Sequence, residues 1–415
     1  MEHINRSFSK LSIELTNLLD IQIKKKNGIY FTPFESIEKS YNIINNYIKN
    51  NNINIRYILE PSCGSCEFIK YIDNKFEDIN IIGIELNTEI YDKIQDLNFK
   101  NNVELINENF LLYKNEHKYD LIIGNPPYYV LKKKEVDEIY YKYFEGRPNI
   151  FILFIIKSLS LLSKNGILTF VLPENFLNCL YYNKLRKYIN NNYTIISISS
   201  TNDKYLDTSQ KTILFIICNN KNNIILKEEE NEHNFVLTKD NYIIFNTLDN
   251  IRKIKELYIS STTLKREGFI VSVGKVVWNQ VKDKLTDDKT KTRLIYSGDI
   301  SNNKLELTKF KNSYKKNYID MVGKNKQVIL INRGYGVGSY KFNYCIIDVD
   351  FDYVVENHLL IIEYTKIIEK KDLIIKLNNI IKSLDNKKCL DFIKLYFKNN
   401  AINVNEIENI LPIYF

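Results

Sequence analysis

Glycine is scarce in this chain of 415 residues, at 13, and proline scarcer still, at 7. No glycine-rich Walker loop and no complete G-x-G-x-x-G occurs, so a ligand with a phosphate chain is not expected. The six cysteines, at 63, 66, 179, 218, 345 and 389, are scattered and draw no disulfide framework. Cys63 and Cys66 have C-x-x-C spacing, but no second Cys or His pair stands at zinc-ligand distance, so no metal is expected. His117 and His358 are isolated. There is no nuclease-like carboxylate cluster, no internal repeat and no signal-peptide pattern, and a reducing cytosol is the expected setting. The most apolar stretch, Phe151 to Leu162, is interrupted by Lys157 and is too short to span a bilayer; it reads as a buried helix, and no membrane association is expected.

What is present builds cores. Hydrophobic residues make up 44% and aromatic residues 13%, enough for two or three domains. The net charge is +8, which is compatible with a polyanionic partner, although the richness in Asn, Lys, Ile and Tyr matches an AT-rich genome and discounts the lysines. Residues 1–27 have helical spacing, and a helix is expected over about 34–49. Strands near 56–60, 79–85, 103–106, 119–124 and 167–172 then alternate with helices near 66–72, 88–96, 149–163 and 177–191, before two β runs near 194–200 and 211–218. That alternation predicts an α/β fold with a doubly wound parallel, Rossmann-like sheet. The polar stretch 219–234 marks a boundary region. The expected domains are 1–240 and 241–415, the second a mixed β/α region of short strands followed by a helical tail.

Chemistry concentrates at strand ends. The run Tyr119 to Gly124 leads directly into Asn125-Pro126-Pro127-Tyr128. Two prolines end a strand sharply and fix an Asn and a Tyr at the carboxyl edge of a sheet, where open α/β folds bind ligands. An Asn amide both accepts and donates, and a Tyr ring stacks on a flat substrate. The pair suits a planar amine such as the exocyclic amino group of a base; a surface turn capped by Asn is the bland alternative. The first strand ends in Glu60-Pro61-Ser62-Cys63-Gly64, whose small residues let a ligand approach the backbone. Glu85 ends the second strand, 25 positions beyond Glu60, where an acid grips a ribose. A nucleoside without a phosphate chain fits these features, and S-adenosylmethionine is such a ligand.

With these motifs in this order the chain resembles the gamma-class DNA adenine-N6 methyltransferases of restriction–modification type. The resemblance covers the first 230 residues well and the remainder loosely, through Val277-Trp278-Asn279, Leu330 to Arg333 and Glu356-Asn357-His358. It implies S-adenosylmethionine as cofactor, bound by Tyr30, Thr32, Pro33, Glu60, Pro61, Ser62, Cys63, Gly64, Glu85, Leu86, Asn109, Phe110, Asn125 and Pro127. It implies catalysis by Asn125, Pro126, Pro127 and Tyr128 on an adenine flipped out of double-stranded DNA. The family's usual Gly is Cys66 here and its usual Asp is Asn109, whose amide oxygen can still accept from the cofactor adenine. Residues 241–415 become a target-recognition domain. A monomer is expected, cytoplasmic (nucleoid-associated in a bacterium, in the host cytoplasm or factory for a virus), with a cognate restriction endonuclease as a separate protein or none.

Four further signals have two readings each. Tyr205 either stacks on the flipped base or is structural. Lys132, Lys133 and their neighbour Lys134 either touch DNA phosphates or are a solvated charge run. Arg333, in the turn Asn332 to Gly338, either reads a guanine edge or phosphate or sits at a hairpin tip. Trp278, the single tryptophan, reads as domain core rather than a DNA wedge. Two rival functions stay open: a methyltransferase for RNA or a protein glutamine, and a catalytically silent DNA-binding specificity subunit.

Overall fold

The computed structural model describes residues 7–201, 205–208, 210–220, 234–306, 308, 310–334, 342–397 and 402–415. The chain forms two compact units, Met1–Ile251 and Arg252–Phe415.

In the first unit, β1 (Tyr57–Glu60), β2 (Asn80–Glu85), β3 (Asn102–Asn107), β4 (Tyr119–Gly124), β5 (Leu162–Pro173), β6 (Thr194–Ser200) and β7 (Thr212–Cys218) form one sheet in the order β3-β2-β1-β4-β5-β7-β6. β1 to β5 are parallel, and β7 runs antiparallel to both β5 and β6. The all-parallel expectation therefore fails at one strand. Only residues 201–211 separate β6 from β7, fewer than the dozen or so that a parallel crossover needs, so the pair is antiparallel. The sheet is flanked by α3 to α7 (Phe34–Asn51, Glu67–Asp73, Thr88–Ile94, Ile150–Leu161, Asn183–Asn192), and two shorter helices, α1 (Lys10–Leu18) and α2 (Ile21–Asn27), precede them. β4 is buried along nearly its whole length and β7 throughout, which is why both read as continuous apolar runs.

α6 is apolar on all sides because its faces are packed. Phe151, Ile152 and Ile155 are fully buried, and of its three polar members Ser158 is buried, Ser160 donates to the Lys157 carbonyl at 2.7 Å, and Lys157 reaches out to donate to the Tyr113 carbonyl at 2.6 Å. Each such buried side chain stabilises the unit by about 1.5–3 kcal/mol. The hairpin Val236–Lys239 and Tyr242–Phe245 belongs to this core. Phe245 stacks on Phe215 at 5.9 Å, and the buried Arg186 donates to the carbonyls of Ile243, Phe176 and Cys179. These bonds explain why the unit extends past the polar stretch to Ile251.

The second unit contains an antiparallel sheet in the order Phe269–Val273, Leu359–Tyr364, Val328–Asn332, Tyr344–Ile347, and a smaller one in the order Leu285–Thr286, Tyr318–Ile319, Thr292–Ile295, Tyr353–Val355. Helices Lys370–Leu384, Lys387–Tyr396 and Val404–Asn409 follow. The first of these strands stops at Val273. Gly274 passes so close to another segment that a Cβ would lie 2.0 Å from the Glu356 carbonyl oxygen, and pairing ends there. Among the described residues, no helix is long and apolar enough to cross a membrane.

Candidate active site

The carboxyl ends of β1, β2 and β4 converge on a cavity of about 310 Å³ in the first unit. Its walls include Tyr30, Pro61, Ser62, Gly64, Glu85, Leu86, Asn109, Phe110, Asn125 and Pro127, ten of the residues expected to hold a cofactor. Thr32, Glu60 and Cys63 line a small adjoining cavity that also reaches Asn125. Pro33 caps the start of α3 and is buried beneath. Sequence reasoning missed Tyr129, Ile150 and Phe154, which add apolar surface to the wall. Their apolar character was visible, but nothing in it distinguishes a ligand wall from core.

The side-chain amide and the backbone carbonyl of Asn125 are both held. Its Nδ2 donates to the Tyr30 carbonyl at 3.1 Å, its Oδ1 accepts from the Tyr128 hydroxyl at 2.6 Å, and its backbone carbonyl accepts from Ser62 Oγ at 3.2 Å. The two side-chain bonds together assign the amide orientation, because only nitrogen can donate to Tyr30. The Tyr128 hydroxyl lies 2.6 Å from both Asn125 Oδ1 and the Val171 carbonyl on β5, and its ring meets Phe151 edge-on. Burial pushes the Tyr128 phenol well above its ordinary range, so it remains a donor. Tyr30 is delivered by Gly28, which ends α2 at φ +65°; a Cβ on Gly28 would lie 2.6 Å from the Tyr128 amide nitrogen. Glycine here allows the loop to press against the Asn125–Tyr128 turn.

The acids have distinct roles. Glu85 accepts from the Gly64 and Asn87 amides at 2.9 and 2.7 Å, yet burial still raises its carboxyl above the usual value. Glu60 is 2% exposed, and its Oε2 has no hydrogen-bond partner among the described residues. Burial first, and the Cys66 sulfur second, hold the Glu60 carboxyl well above the carboxylate range. An orphaned carboxylate oxygen beside a cavity is the complement of a cationic ligand group. Between the ordinary range and its raised value, folded Glu60 keeps a proton that the unfolded chain has lost, so stability falls as pH rises through that window. Glu60→Gln abolishes that loss. Without cofactor, its melting temperature at pH 8 is expected above that of the parent, the two curves converging near pH 4; parallel curves would contradict the assignment.

Asn109 Oδ1 accepts from the Leu111 amide at 2.9 Å, leaving one lone pair and the amide nitrogen for a ligand. Phe110 packs on Phe154 at 5.0 Å with Lys157 Nζ 5.1 Å from its ring centre. Cys66 adopts φ +61°, the left-handed conformation that favours the glycine it replaces. Cys63 and Cys66 are both buried, and the neighbouring Cys66 sulfur, followed by burial, keeps the Cys63 thiol well above its ordinary range, which suits an inert wall. Among the described residues no group of three His, Cys, Asp or Glu is placed to hold a metal.

Tyr205 needs correcting as a stacking platform. It is 8% exposed in the core with Ile37, Val171 and Leu214, its hydroxyl 3.3 Å from Thr212 Oγ1, so it offers no open ring face. Two positions on lies a pair that sequence reasoning missed: buried Lys24 on α2 contacts Asp207 at 2.5 Å and the Thr16 carbonyl at 2.6 Å. No sequence signal joins residues 183 positions apart. Lys132 and Lys133 are exposed on the segment after the catalytic turn, where the Lys133 ammonium lies over the Tyr141 ring at 4.5 Å. Arg333 lies in the second unit, its amide bonded to the His358 carbonyl at 3.0 Å; Tyr335 to Gly338 of its turn fall outside the described residues.

Residues 9–206 match the Eco57I restriction-modification methylase family. The chain is 31% identical over 183 residues to the modification methylase CviBIII of Paramecium bursaria Chlorella virus NC1A, covering 44% of this chain and 47% of that one. It is 26% identical to the type II methyltransferase M.CvrRI of Paramecium bursaria Chlorella virus XZ-6E, covering 98% and 99% respectively. Thus the chain spans about half the length of the first relative and nearly all of the second. Among solved structures, the type IIG restriction endonuclease BpuSI is similar at 12% identity and a TM-score of 0.44, over 95% of this chain and 60% of that one. A class I S-adenosylmethionine-dependent methyltransferase from Listeria monocytogenes, itself assigned only provisionally, is similar at 16% identity and 0.43, over 55% and 73%. The fold assignment rests on the strand order and not on these two likenesses. Match, motif order and site geometry coincide in one segment: residues 9–206 of this chain are similar to the Eco57I restriction-modification methylase family.

Proposed function

We propose that this chain transfers a methyl group from S-adenosylmethionine to the N6 amino group of an adenine flipped out of duplex DNA, at a specific sequence. The observation that carries the reading is the clasped Asn125: an acceptor oxygen fixed in direction at the rim of a nucleoside-sized cavity. The residues suit the cofactor. Glu60 Oε2 is an unsatisfied acceptor for its amino group, Glu85 is set for ribose hydroxyls, and Leu86 and Phe110 are apolar walls for its adenine. When bound, S-adenosylmethionine supplies an electrophilic methyl group on a cationic sulfur.

Asn125 Oδ1 has a second lone pair beyond the one facing Tyr128, and Pro126 O carries no hydrogen bond among the described residues. Both would accept from the target amino group, drawing the nitrogen lone pair out of conjugation with the ring. Because these acceptors are aligned before substrate arrives, little reorganisation is needed. The nitrogen becomes acidic only once alkylated and then loses its proton to water, so no strong base is required. Tyr128 supplies a ring to stack on the base, and its hydroxyl steadies Asn125. Tyr128→Phe keeps the ring and loses both hydroxyl bonds; kcat is expected to fall about 2- to 10-fold, the worth of a neutral hydrogen bond, with cofactor Kd unchanged. An unchanged kcat would show that the clasp does not matter.

Radiolabelled S-adenosylmethionine, offered with unmethylated duplex DNA, RNA and a glutamine-bearing polypeptide together, separates the substrate classes. Label in the duplex alone is expected; label in RNA or polypeptide would replace this reading. Absence of both label and cofactor binding would favour a silent DNA-binding subunit.

A further inference from the structure

The second unit carries a surface that its own packing does not explain. Trp278, Asn279 and Gln280 form one 3-10 turn. The indole is anchored on one side among Val276, Tyr296 and Ile319, so the turn has a fixed base. Asn279 and Gln280 are exposed, and their side-chain amides make no hydrogen bond among the described residues. Beside them stands Tyr314, 66% exposed. Its position is constructed: Asn312 Oδ1 accepts from the Tyr314 amide at 3.0 Å, and the Asn312 carbonyl accepts from the Lys315 amide at 3.1 Å. The turn thus holds the Tyr314 backbone in place and presents its ring to solvent, where an aromatic face can stack on a flat partner.

Two ammonium groups cover these rings. Lys282 Nζ lies 4.9 Å from the Tyr314 centroid and 6.0 Å from that of Trp278. Lys315 Nζ sits among Trp278, Tyr296 and Phe310 at 4.9, 4.8 and 5.5 Å, and 3.9 Å from the buried Glu356 carboxylate. Lys315 is thus committed to the scaffold, whereas Lys282 is exposed and, among the described residues, engaged only with ring faces. An exposed cation can leave a ring for a phosphate, freeing that ring for a sugar or base. Free Asn and Gln amides are the groups that bond an adenine edge two ways at once.

We infer that the Trp278–Gln280 turn with Tyr314 and Lys282 is a duplex-contacting surface, Asn279 and Gln280 reading base edges and Lys282 meeting a phosphate. This deepens, and rests on, the proposal that DNA is the substrate. Because Trp278 is the only tryptophan in the chain, its fluorescence reports this surface alone.

The test uses the full chain and an end-labelled duplex containing the methylated motif found by sequencing, or a pool of random duplexes, with label anisotropy and Trp278 emission recorded in one titration. Both are expected to change and to saturate together. Asn279→Ala with Gln280→Ala is expected to weaken binding to the motif about 10- to 100-fold with little effect on non-cognate duplex. Lys282→Ala should weaken both alike and lower the salt slope by about one phosphate contact. Anisotropy that rises while Trp278 emission and the variants stay as in the parent would overturn the surface and leave DNA as the substrate. No anisotropy change at any concentration would overturn both.

Discussion

Asn125→Ala lowers turnover about 10²- to 10³-fold, the range for deleting one preorganised polar group from a reacting centre. The substitution removes three things together: the acceptor for the target amino group, the donor to the Tyr30 carbonyl and the partner of the Tyr128 hydroxyl. It leaves Glu60, Glu85 and Phe110 in place, so S-adenosylmethionine Kd is expected to stay within a few-fold of the parent. Single-turnover methylation of a duplex beside equilibrium cofactor binding measures both. A variant with parental turnover would remove Asn125 from the mechanism, and one that loses cofactor binding equally would make Asn125 a structural residue of the cavity. Asn125→Asp discriminates further. A carboxylate accepts but cannot donate, so facing the Tyr30 carbonyl it loses the bond that fixes its direction, and it too is expected to be impaired.

Asp299→Ala destabilises the second unit by about 3–5 kcal/mol, the cost of breaking a buried ion pair from one side. Asp299 is fully buried, its Oδ2 3.0 Å from Arg293 Nη2 and accepting from the Tyr296 amide, and its Oδ1 accepting from the Thr308 amide. Arg293 is equally enclosed and also donates to the Leu294 and Asn317 carbonyls. Removing Asp299 leaves a guanidinium in the core with no counter-charge and strands two amides. Trp278 fluorescence during denaturant unfolding follows this unit directly. The midpoint is expected to move sharply to lower denaturant while cofactor binding by the first unit persists. A loss under about 1 kcal/mol would mean that the pair is solvated or replaceable.

The legible parts of this molecule share a physical origin. Buried parallel strands are short apolar runs, so Tyr119–Gly124 could be placed to the residue, and the motifs at their carboxyl ends came with them. Asn125, Glu85 and Phe110 do line one cavity, as that logic requires. What escaped depends on long-range pairing. The antiparallel β7 reads like any apolar strand, since direction leaves no trace in composition. Tyr205 reads as an aromatic near the site, but it is buried with Ile37, Val171 and Leu214 from other segments, which no local pattern announces. Arg293 and Asp299 look like surface charges in sequence because charged residues seldom lie fully inside. The second unit was least legible for the same reason: its strands are short, and Gly274 halts one of them through a contact with Glu356 that lies 82 positions away.

The account stands or falls on which atom is methylated. Single-molecule sequencing of an unmethylated plasmid, incubated with the chain and S-adenosylmethionine, reads this directly. The account predicts N6-methyladenine confined to one short sequence and absent from the Asn125→Ala reaction. Methylation on cytosine N4, or an unmodified plasmid from a chain shown to bind cofactor, would contradict it.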